Sequence, residues 1–155
     1  MIEFLWWIFY TVLAIWIQSL VSGADCFGPA LVLCIQARRF GCLALLAPIW
    51  ILFQEGAGSL PFGSVLLHYV GLIYFVFLVR AYISITSPLY ILILSLFSGM
   101  WQVGVIRFVA SLQGIQIVWQ QILLQGACTA AVFPVLWAFA SLIYHFRIAP
   151  RYART

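Results

Sequence analysis

Charge is what this sequence has least of. It contains no lysine, seven arginines and three acidic residues, so that only 6% of its 155 residues are charged. An ordinary soluble domain has about 25% charged residues and is a little under half apolar, whereas 66% of this chain is hydrophobic. The low charge and the long runs of Leu, Ile, Val, Phe and Trp exclude a water-soluble fold and predict a protein that crosses a membrane several times.

Residues for catalysis and for metal binding are also scarce. Three acids and two histidines provide no paired carboxylates and no nucleophile–base pair. The four cysteines form no C-x-x-C motif and no cysteine–histidine cluster, so we interpret them as small apolar packing residues. The arginines are scattered between apolar segments, whereas a nucleic-acid-binding surface needs a dense basic face. We therefore predict that the protein is not an enzyme, has no cofactor or metal site and does not bind nucleic acid.

Six apolar segments follow one another along the chain. A helix needs about 20 apolar residues to cross a bilayer core about 30 Å thick, and at about 25 residues per span and loop the length allows at most six spans. The predicted spans are residues 4–21, 27–37, 40–53, 64–79, 88–109 and 119–146, within one integral membrane domain of residues 1–155.

The second and third segments are short for a full crossing and are separated only by Arg38 and Arg39. They could form a tight hairpin, or one long bent helix that lies partly in the membrane interface. We favour the hairpin, because an arginine pair at the centre of the bilayer would be costly.

The arginines also predict the orientation of the spans, because cytoplasmic loops carry an excess of positive charge. With the N-terminus in the cytoplasm, Arg38, Arg39 and Arg80 face the cytoplasm, as does the C-terminal group that begins at Arg147. Five spans would place one of these groups on the outer side. The sequence therefore predicts an all-α, polytopic bundle of six transmembrane helices with both termini inside.

Arg107 is the exception, since this topology places it near the outer end of the fifth span. An arginine near a membrane boundary either extends to the lipid headgroups or pairs with an acid. Asp25 and Glu55 are the two acids predicted on the outer side. We take a Glu55–Arg107 pair as our hypothesis.

Polar and small residues inside the spans predict where helices meet. His68 lies about one and a half turns into the fourth span, and we expect it to form a hydrogen bond between helices. Ser95 with Gly99, and Gly126 with Ala130, are each four residues apart and would allow two helix backbones to approach closely.

The most distinctive segment, QEGAGSLPFG over residues 54–63, connects the third and fourth spans. Its glycines and its proline predict a turn and exclude a helix. An acid at the end of the third span is followed by small residues and by a Pro-apolar-Gly step. The residues that form this pattern are Glu55, Gly56, Gly58, Ser59, Pro61, Phe62 and Gly63. In this segment, in its length and in its short second span followed by a cationic turn, the chain resembles the MreD family of bacterial rod shape-determining proteins.

The resemblance implies a non-enzymatic scaffold of the cell-elongation complex, in the bacterial inner membrane. MreD-like proteins bind the membrane-anchored protein MreC. They work with the MreB filament, a RodA-like glycosyltransferase and a class B penicillin-binding transpeptidase in peptidoglycan synthesis. Their fold is similar to the six-helix substrate-binding subunits of energy-coupling-factor transporters. The candidate partner and structural residues are then Glu55, Gly58, Pro61, Gly63, Arg107, Arg38, Arg39, Arg80 and His68.

The same resemblance implies which surface meets which partner. The arginines of the inner surface would face anionic lipid and cytoplasmic partners, whereas the loop that contains Glu55 would face MreC or the wall synthase.

Two alternatives remain open. The chain could be a substrate-binding membrane subunit of an energy-coupling-factor-type vitamin or metal transporter. That function would need an outward pocket beneath the loop of residues 55–63, lined by residues such as His68, Tyr69 and Arg107. The chain could also be an unrelated small subunit of a larger membrane complex.

Overall fold

The computed structural model describes residues 2–21, 23–56, 63–85, 87–114, 116 and 118–144, with side chains from residue 5 onward. Gly58, Pro61 and Arg147, which carry predictions from the sequence, lie outside these residues. The described chain contains no strand and six helices, which are α1 (Ile2–Leu20), α2 (Gly28–Gln36), α3 (Phe40–Gly56), α4 (Ser64–Arg80), α5 (Pro88–Gln113) and α6 (Trp119–Ile143). Each helix coincides with one predicted segment, so the prediction of an all-α chain is confirmed.

Two of these helices, α5 and α6, are long and apolar enough to cross a membrane. With 26 residues and a rise of 1.5 Å per residue, α5 extends about 39 Å, which exceeds a hydrocarbon core of about 30 Å. The helices α3 and α4 and residues Leu5–Leu20 of α1 are apolar but shorter. Membrane-spanning length and composition are therefore found in two helices, and the six-span topology stays a prediction.

The short helix α2 lies in the centre of the bundle. Its nine residues extend about 13 Å, under half of a bilayer core. Every residue from Gly28 to Ile35 is buried, and α2 packs against α3, α4 and α6. A helix that is apolar on all sides is expected to be covered on all sides. The second segment is thus a core helix of the bundle.

The chain turns sharply between α2 and α3, at the arginine pair. The Arg39 amide donates to the Cys34 carbonyl at 3.0 Å, and Arg38 is in the left-handed region at φ +56°. The two helices then pack against each other. The predicted hairpin is confirmed here, and the alternative of one long bent helix is wrong, because α2 ends at Gln36 and α3 starts at Phe40.

The helices α5 and α6 approach each other closely at a pair of glycines. A Cβ atom added to Gly99 would lie 2.5 Å from the Gly126 carbonyl oxygen, and one added to Gly126 would lie 2.8 Å from the Gly99 carbonyl oxygen. One turn away, the Ser95 hydroxyl donates to the Ala130 carbonyl at 3.1 Å. The close approach predicted from these four small residues is confirmed.

Large rings, by contrast, hold α1 against the bundle. Trp7 packs against Trp50 of α3 and against Tyr144, with ring centroids 6.4 and 6.3 Å apart. The Trp50 indole N–H donates to the Thr11 hydroxyl at 3.0 Å, and the Tyr10 hydroxyl donates to the Cys26 carbonyl at 2.8 Å. The Trp50 and Tyr10 rings thus satisfy their polar atoms while they fill the space between helices, whereas the Trp7 indole N–H has no hydrogen-bond partner in the structure.

Candidate functional site

Asp25 is the centre of a polar cluster inside the otherwise apolar bundle. It lies between α1 and α2, and only 5% of its surface is exposed. Its Oδ1 atom accepts hydrogen bonds from the amides of Phe27 at 3.0 Å and Gly28 at 3.1 Å. Phe27 directly precedes α2 and Gly28 is its first residue, so both amides lie at the helix start, where backbone N–H groups lack helical partners and the helix dipole favours negative charge. The carboxylate therefore caps the core helix.

Side chains of α3, α4 and α5 surround the same carboxylate. The Gln54 amide and the Tyr69 hydroxyl each donate to Oδ1 at 3.2 Å. On the other side, His68 Nε2 lies 3.3 Å from Oδ2 and 3.4 Å from the Ser98 hydroxyl. The expected hydrogen bonding of His68 between helices is confirmed, and it connects α4 both to α5 and to the segment before α2.

The backbone around Asp25 is held by the two long helices. The Asp25 amide donates to the Thr129 hydroxyl of α6 at 3.0 Å, and the Gln102 side-chain amide of α5 donates to the Gly23 carbonyl at 2.8 Å. The segment between α1 and α2 is therefore connected to α3, α4, α5 and α6 through polar contacts. These contacts fix where the carboxylate points.

The surroundings also keep the carboxylate ionised. Burial by itself would raise the pKa of Asp25, but the His68 ring, the Gln54 amide and the Phe27 backbone amide outweigh burial and lower that pKa from its ordinary value. An ionised carboxylate away from water is costly unless its oxygens are paired. The donors gathered around Oδ1 meet that requirement for one of its two oxygens.

A cavity of about 20 Å³ adjoins the cluster. About 10–15 Å³ on this measure holds one water molecule, so the cavity has room for one or two molecules of that size. The residues that line it are Asp25, Gln54, Ser64, Val65, His68, Gln102, Val105 and Ile106. Ser64 Oγ, His68 Nδ1 and Gln102 Oε1 have no hydrogen-bond partner in the structure, and Asp25 Oδ2 has the contact with His68 Nε2 at 3.3 Å.

Glu55 and Gly63 lie at the same end of the bundle. The Glu55 carboxylate accepts hydrogen bonds from the amide of Gly63 at 3.0 Å and from the amide of Leu66 at 3.4 Å. Gly63 has φ +86°, a left-handed conformation that side chains other than glycine rarely adopt. The acid that ends α3 thus caps the start of α4 across the connecting segment.

The predicted Glu55–Arg107 pair is wrong. In the part of the chain that the structure describes, no ion pair joins these two residues, and the Arg107 guanidinium lies over the Trp119 ring, 4.2 Å from its centroid. The physical reason is that each charge has another partner nearby. Glu55 binds the unpaired amides at the start of α4, and Arg107 binds the electron-rich face of an aromatic ring.

Removing the Glu55 carboxylate should loosen the start of α4 without involving Arg107. We expect Glu55→Ala to lower the free energy of unfolding by about 1 kcal/mol, as for a lost helix cap, and Glu55→Gln to lower it less, because an oxygen acceptor remains. A double-mutant cycle with Arg107→Ala, followed by unfolding in detergent, should give additive effects. A coupling energy well above about 0.5 kcal/mol would show that the two side chains interact and would support the ion-pair hypothesis.

The other predicted residues are divided between the two ends of the bundle. Arg38, Arg39 and Arg80 lie away from the cavity, because α2 and α4 begin beside it and run to Gln36 and Arg80. Arg38 is exposed, and Arg80 is partly buried. The structure thus brings His68 to the Asp25 cluster, with Glu55 and Arg107 at the same end, and keeps the arginine pair apart from them.

Asp25, Gln54 and Gln102 are the cluster residues that the sequence predictions missed. Asp25 was expected in an outer loop, yet it is buried. An acid three residues before a Gly-Pro helix start is a recognisable capping pattern, so this signal was present in the sequence. Gln54 and Gln102 are isolated polar residues in apolar helices, and no local pattern shows that they face a common centre.

The cluster can hold helices together or bind a very small polar guest. In the described residues, no group of three or more His, Cys, Asp or Glu side chains could hold a metal ion. Comparison of the chain with protein-family models, with curated proteins and with solved structures found no match.

Proposed function

We propose that this protein is a non-enzymatic membrane scaffold of the MreD type, as its sequence resemblance implies. In this proposal the six helices lie in the bacterial inner membrane, with both termini in the cytoplasm. The bundle binds an MreC-like protein and supports peptidoglycan synthesis and rod shape. The MreB filament, a RodA-like glycosyltransferase and a class B penicillin-binding transpeptidase are the other members of the complex.

The small size of the cavity among the described residues is the observation that most supports a scaffold over a solute-binding subunit. A solute-binding subunit would need a pocket beneath the connection between α3 and α4. At that end, Asp25 Oδ1 accepts four hydrogen bonds from the chain itself. The adjoining cavity of about 20 Å³ has room for one or two water-sized molecules, and a vitamin is several times larger.

The distribution of charge supports the assignment of different partners to the two ends of the bundle. Arg38 and Arg39 follow the end of α2, and Arg80 ends α4, so all three lie away from the Asp25 cluster. This placement would favour anionic lipid and cytoplasmic partners. Glu55 and Arg107 lie at the opposite end, where the MreC-like partner would bind. The membrane anchor of that partner would pack against the apolar outer surface of the bundle beside this end.

Purification of the tagged protein from its own membranes in mild detergent, with mass spectrometry of what accompanies it, tests this proposal. We expect an MreC-like protein, together with the glycosyltransferase or the transpeptidase. Recovery of paired ATPases and a coupling protein would favour the transporter alternative. A chain recovered reproducibly without an MreC-like protein would count against the scaffold.

Two charge variants locate the surface that binds the partner. We expect Glu55→Ala to reduce recovery of the MreC-like protein about tenfold, which corresponds to about 1.4 kcal/mol of binding free energy. Arg38→Gln is the matched control, because it removes one charge at the opposite end. Equal losses in both variants would contradict binding at the Glu55 end. Gel filtration of each variant should first establish that it is folded.

A further inference from the structure

Arg107 is a charged side chain on an apolar part of the bundle surface. It is exposed, and its guanidinium lies over the Trp119 ring, 4.2 Å from the centroid. Large apolar side chains nearby along the chain are exposed too, namely Phe108, Leu112 and Val118. Arginine keeps its charge in proteins, and a charge at a lipid-facing surface is costly unless an anion offsets it. Arg107 therefore needs a negatively charged neighbour.

The acids of the chain do not provide that neighbour. The sequence contains three of them. Asp25 is buried in its own cluster, and Glu55 accepts hydrogen bonds from amides at the start of α4. Glu3 lies at the start of α1, beside the C-terminal end of α6, whereas Arg107 lies beside the N-terminal end of α6. Within the described residues, Arg107 forms no hydrogen bond and no ion pair, so the anion must come from outside the chain.

The position of Arg107 along α5 indicates where that anion lies. At 1.5 Å per residue, Arg107 is about 28 Å from the start of α5 at Pro88, and a hydrocarbon core is about 30 Å thick. In the proposed membrane placement, α5 enters the core at its cytoplasmic end, so Arg107 reaches the outer boundary, at the level of the lipid phosphates. Trp119 is 49% exposed, and tryptophan is enriched at this boundary. A lipid headgroup is therefore the anion that the guanidinium meets.

The aromatic contact leaves the guanidinium able to bind a phosphate. Cation–π attraction acts through the face of the ring and uses none of the five N–H donors of the guanidinium. Those donors form a fixed planar fork, which matches two oxygens of one phosphate group. The Trp119 ring limits where the fork can point, so less conformational entropy is lost when a phosphate binds.

We propose that Arg107, positioned by Trp119, binds the phosphate of one anionic phospholipid in the outer leaflet. A zwitterionic lipid has its own cation beside the phosphate, whereas an anionic lipid has a net charge that Arg107 offsets. The bound lipid would hold the turn between α5 and α6 at the membrane surface. This inference rests on the membrane placement of the proposed function and is independent of which protein the scaffold binds.

Titration of the full-length protein in detergent with phosphatidylglycerol, with the bound lipids counted by native mass spectrometry, tests the proposal. We expect Arg107→Gln to lower the affinity for one phosphatidylglycerol molecule per chain about tenfold, which is the loss of one charge-assisted contact. Arg107→Lys keeps the charge and removes the fork, so we expect a smaller loss. Because Arg107 is exposed, both variants should keep the Tm of the wild-type protein.

Two further variants separate the site from its surroundings. Trp119→Leu keeps the charge and removes the ring that positions it, and we expect the affinity to fall about threefold. Gln120→Ala is the matched control, because it changes an exposed, neutral polar residue at the same end of α6. It should bind phosphatidylglycerol as tightly as the wild-type protein.

Each result that contradicts the proposal has a distinct meaning. Phosphatidylglycerol binding that is unchanged in Arg107→Gln would overturn the site and leave an acidic side chain of a protein partner as the anion. Equal affinity for phosphatidylcholine would overturn the preference for an anionic lipid, and full competition by glycerol phosphate at equal concentration would indicate a soluble phosphate instead. The proposed membrane placement fails separately, if alkaline carbonate washes the protein from its membranes.

Discussion

Replacement of Asp25 by alanine is expected to lower the free energy of unfolding by about 3–5 kcal/mol. A loss of this size would unfold a marginally stable protein. The carboxylate accepts hydrogen bonds from two backbone amides of α2 and from the side chains of Gln54 and Tyr69. Alanine would leave these donors buried and unpaired, at about 1–3 kcal/mol for each group that finds no water. Unfolding by denaturant in detergent micelles, followed by tryptophan fluorescence, would measure the loss.

Asp25→Asn separates the effect of the charge from the effect of the hydrogen-bond acceptor. It keeps an oxygen that can accept from the α2 amides, and it removes the charge. We expect Asp25→Asn to cost clearly less than Asp25→Ala and to remain folded. Glu55→Ala removes an acid that is partly exposed at the same end of the bundle, and it should cost only about 1 kcal/mol. An Asp25→Ala variant no less stable than Glu55→Ala would contradict the central role of this carboxylate.

The second large effect is expected from a single methyl group between α5 and α6. Gly99→Ala would place its Cβ 2.5 Å from the Gly126 carbonyl oxygen and 3.0 Å from the Ala130 Cβ. Backbone atoms lie on both sides of the contact, so the helices themselves would have to separate. Overpacking of this kind costs about 1–3 kcal/mol, occasionally more, and we expect the upper part of that range. Thermal unfolding would show it as a lower Tm.

The same helix provides the control for that substitution. Gly104 also lies in α5, but a Cβ added there meets nothing within 4 Å. Because alanine is the better helix former by about 1 kcal/mol, Gly104→Ala should leave stability unchanged or increase it. Equal effects of Gly99→Ala and Gly104→Ala would mean that the close approach of the two helices contributes nothing to stability.

The starts of α5 and α6 were predicted correctly because they depend on local chemistry, whereas α5 continues four residues beyond its predicted end at residue 109. Pro88 opens α5 directly after Ser87, whose hydroxyl accepts from the Leu89 amide at 3.3 Å, and Gly114 ends it in a left-handed conformation. Proline at the first helical position and glycine just past the last one are the residues expected there. The turn at the arginine pair was predictable for a similar reason, since charge is costly inside an apolar segment.

The Asp25 cluster was not predictable in the same way. His68 was expected to contact another helix, but its partners come from segments 43 and 30 positions away along the chain. Which residues meet depends on the rotation of each helix about its axis and on the depth of α2 in the bundle. The Glu55–Arg107 hypothesis failed for this reason. The sequence placed both charges at one end of the bundle, but Glu55 contacts the amides at the start of α4 and Arg107 contacts the Trp119 ring.

Local sequence is enough to specify a helical, apolar chain in six segments, because hydropathy and helix-terminating residues act over a few neighbouring positions. It also marked the close contact of α5 and α6 through small residues at helical spacing. Three features emerge only when the helices pack: α2 is the buried centre, Asp25 caps it, and buried polar residues from separate segments line one small cavity. Those features depend on side chains from separate helices converging in space, and convergence is a property of packing rather than of local sequence.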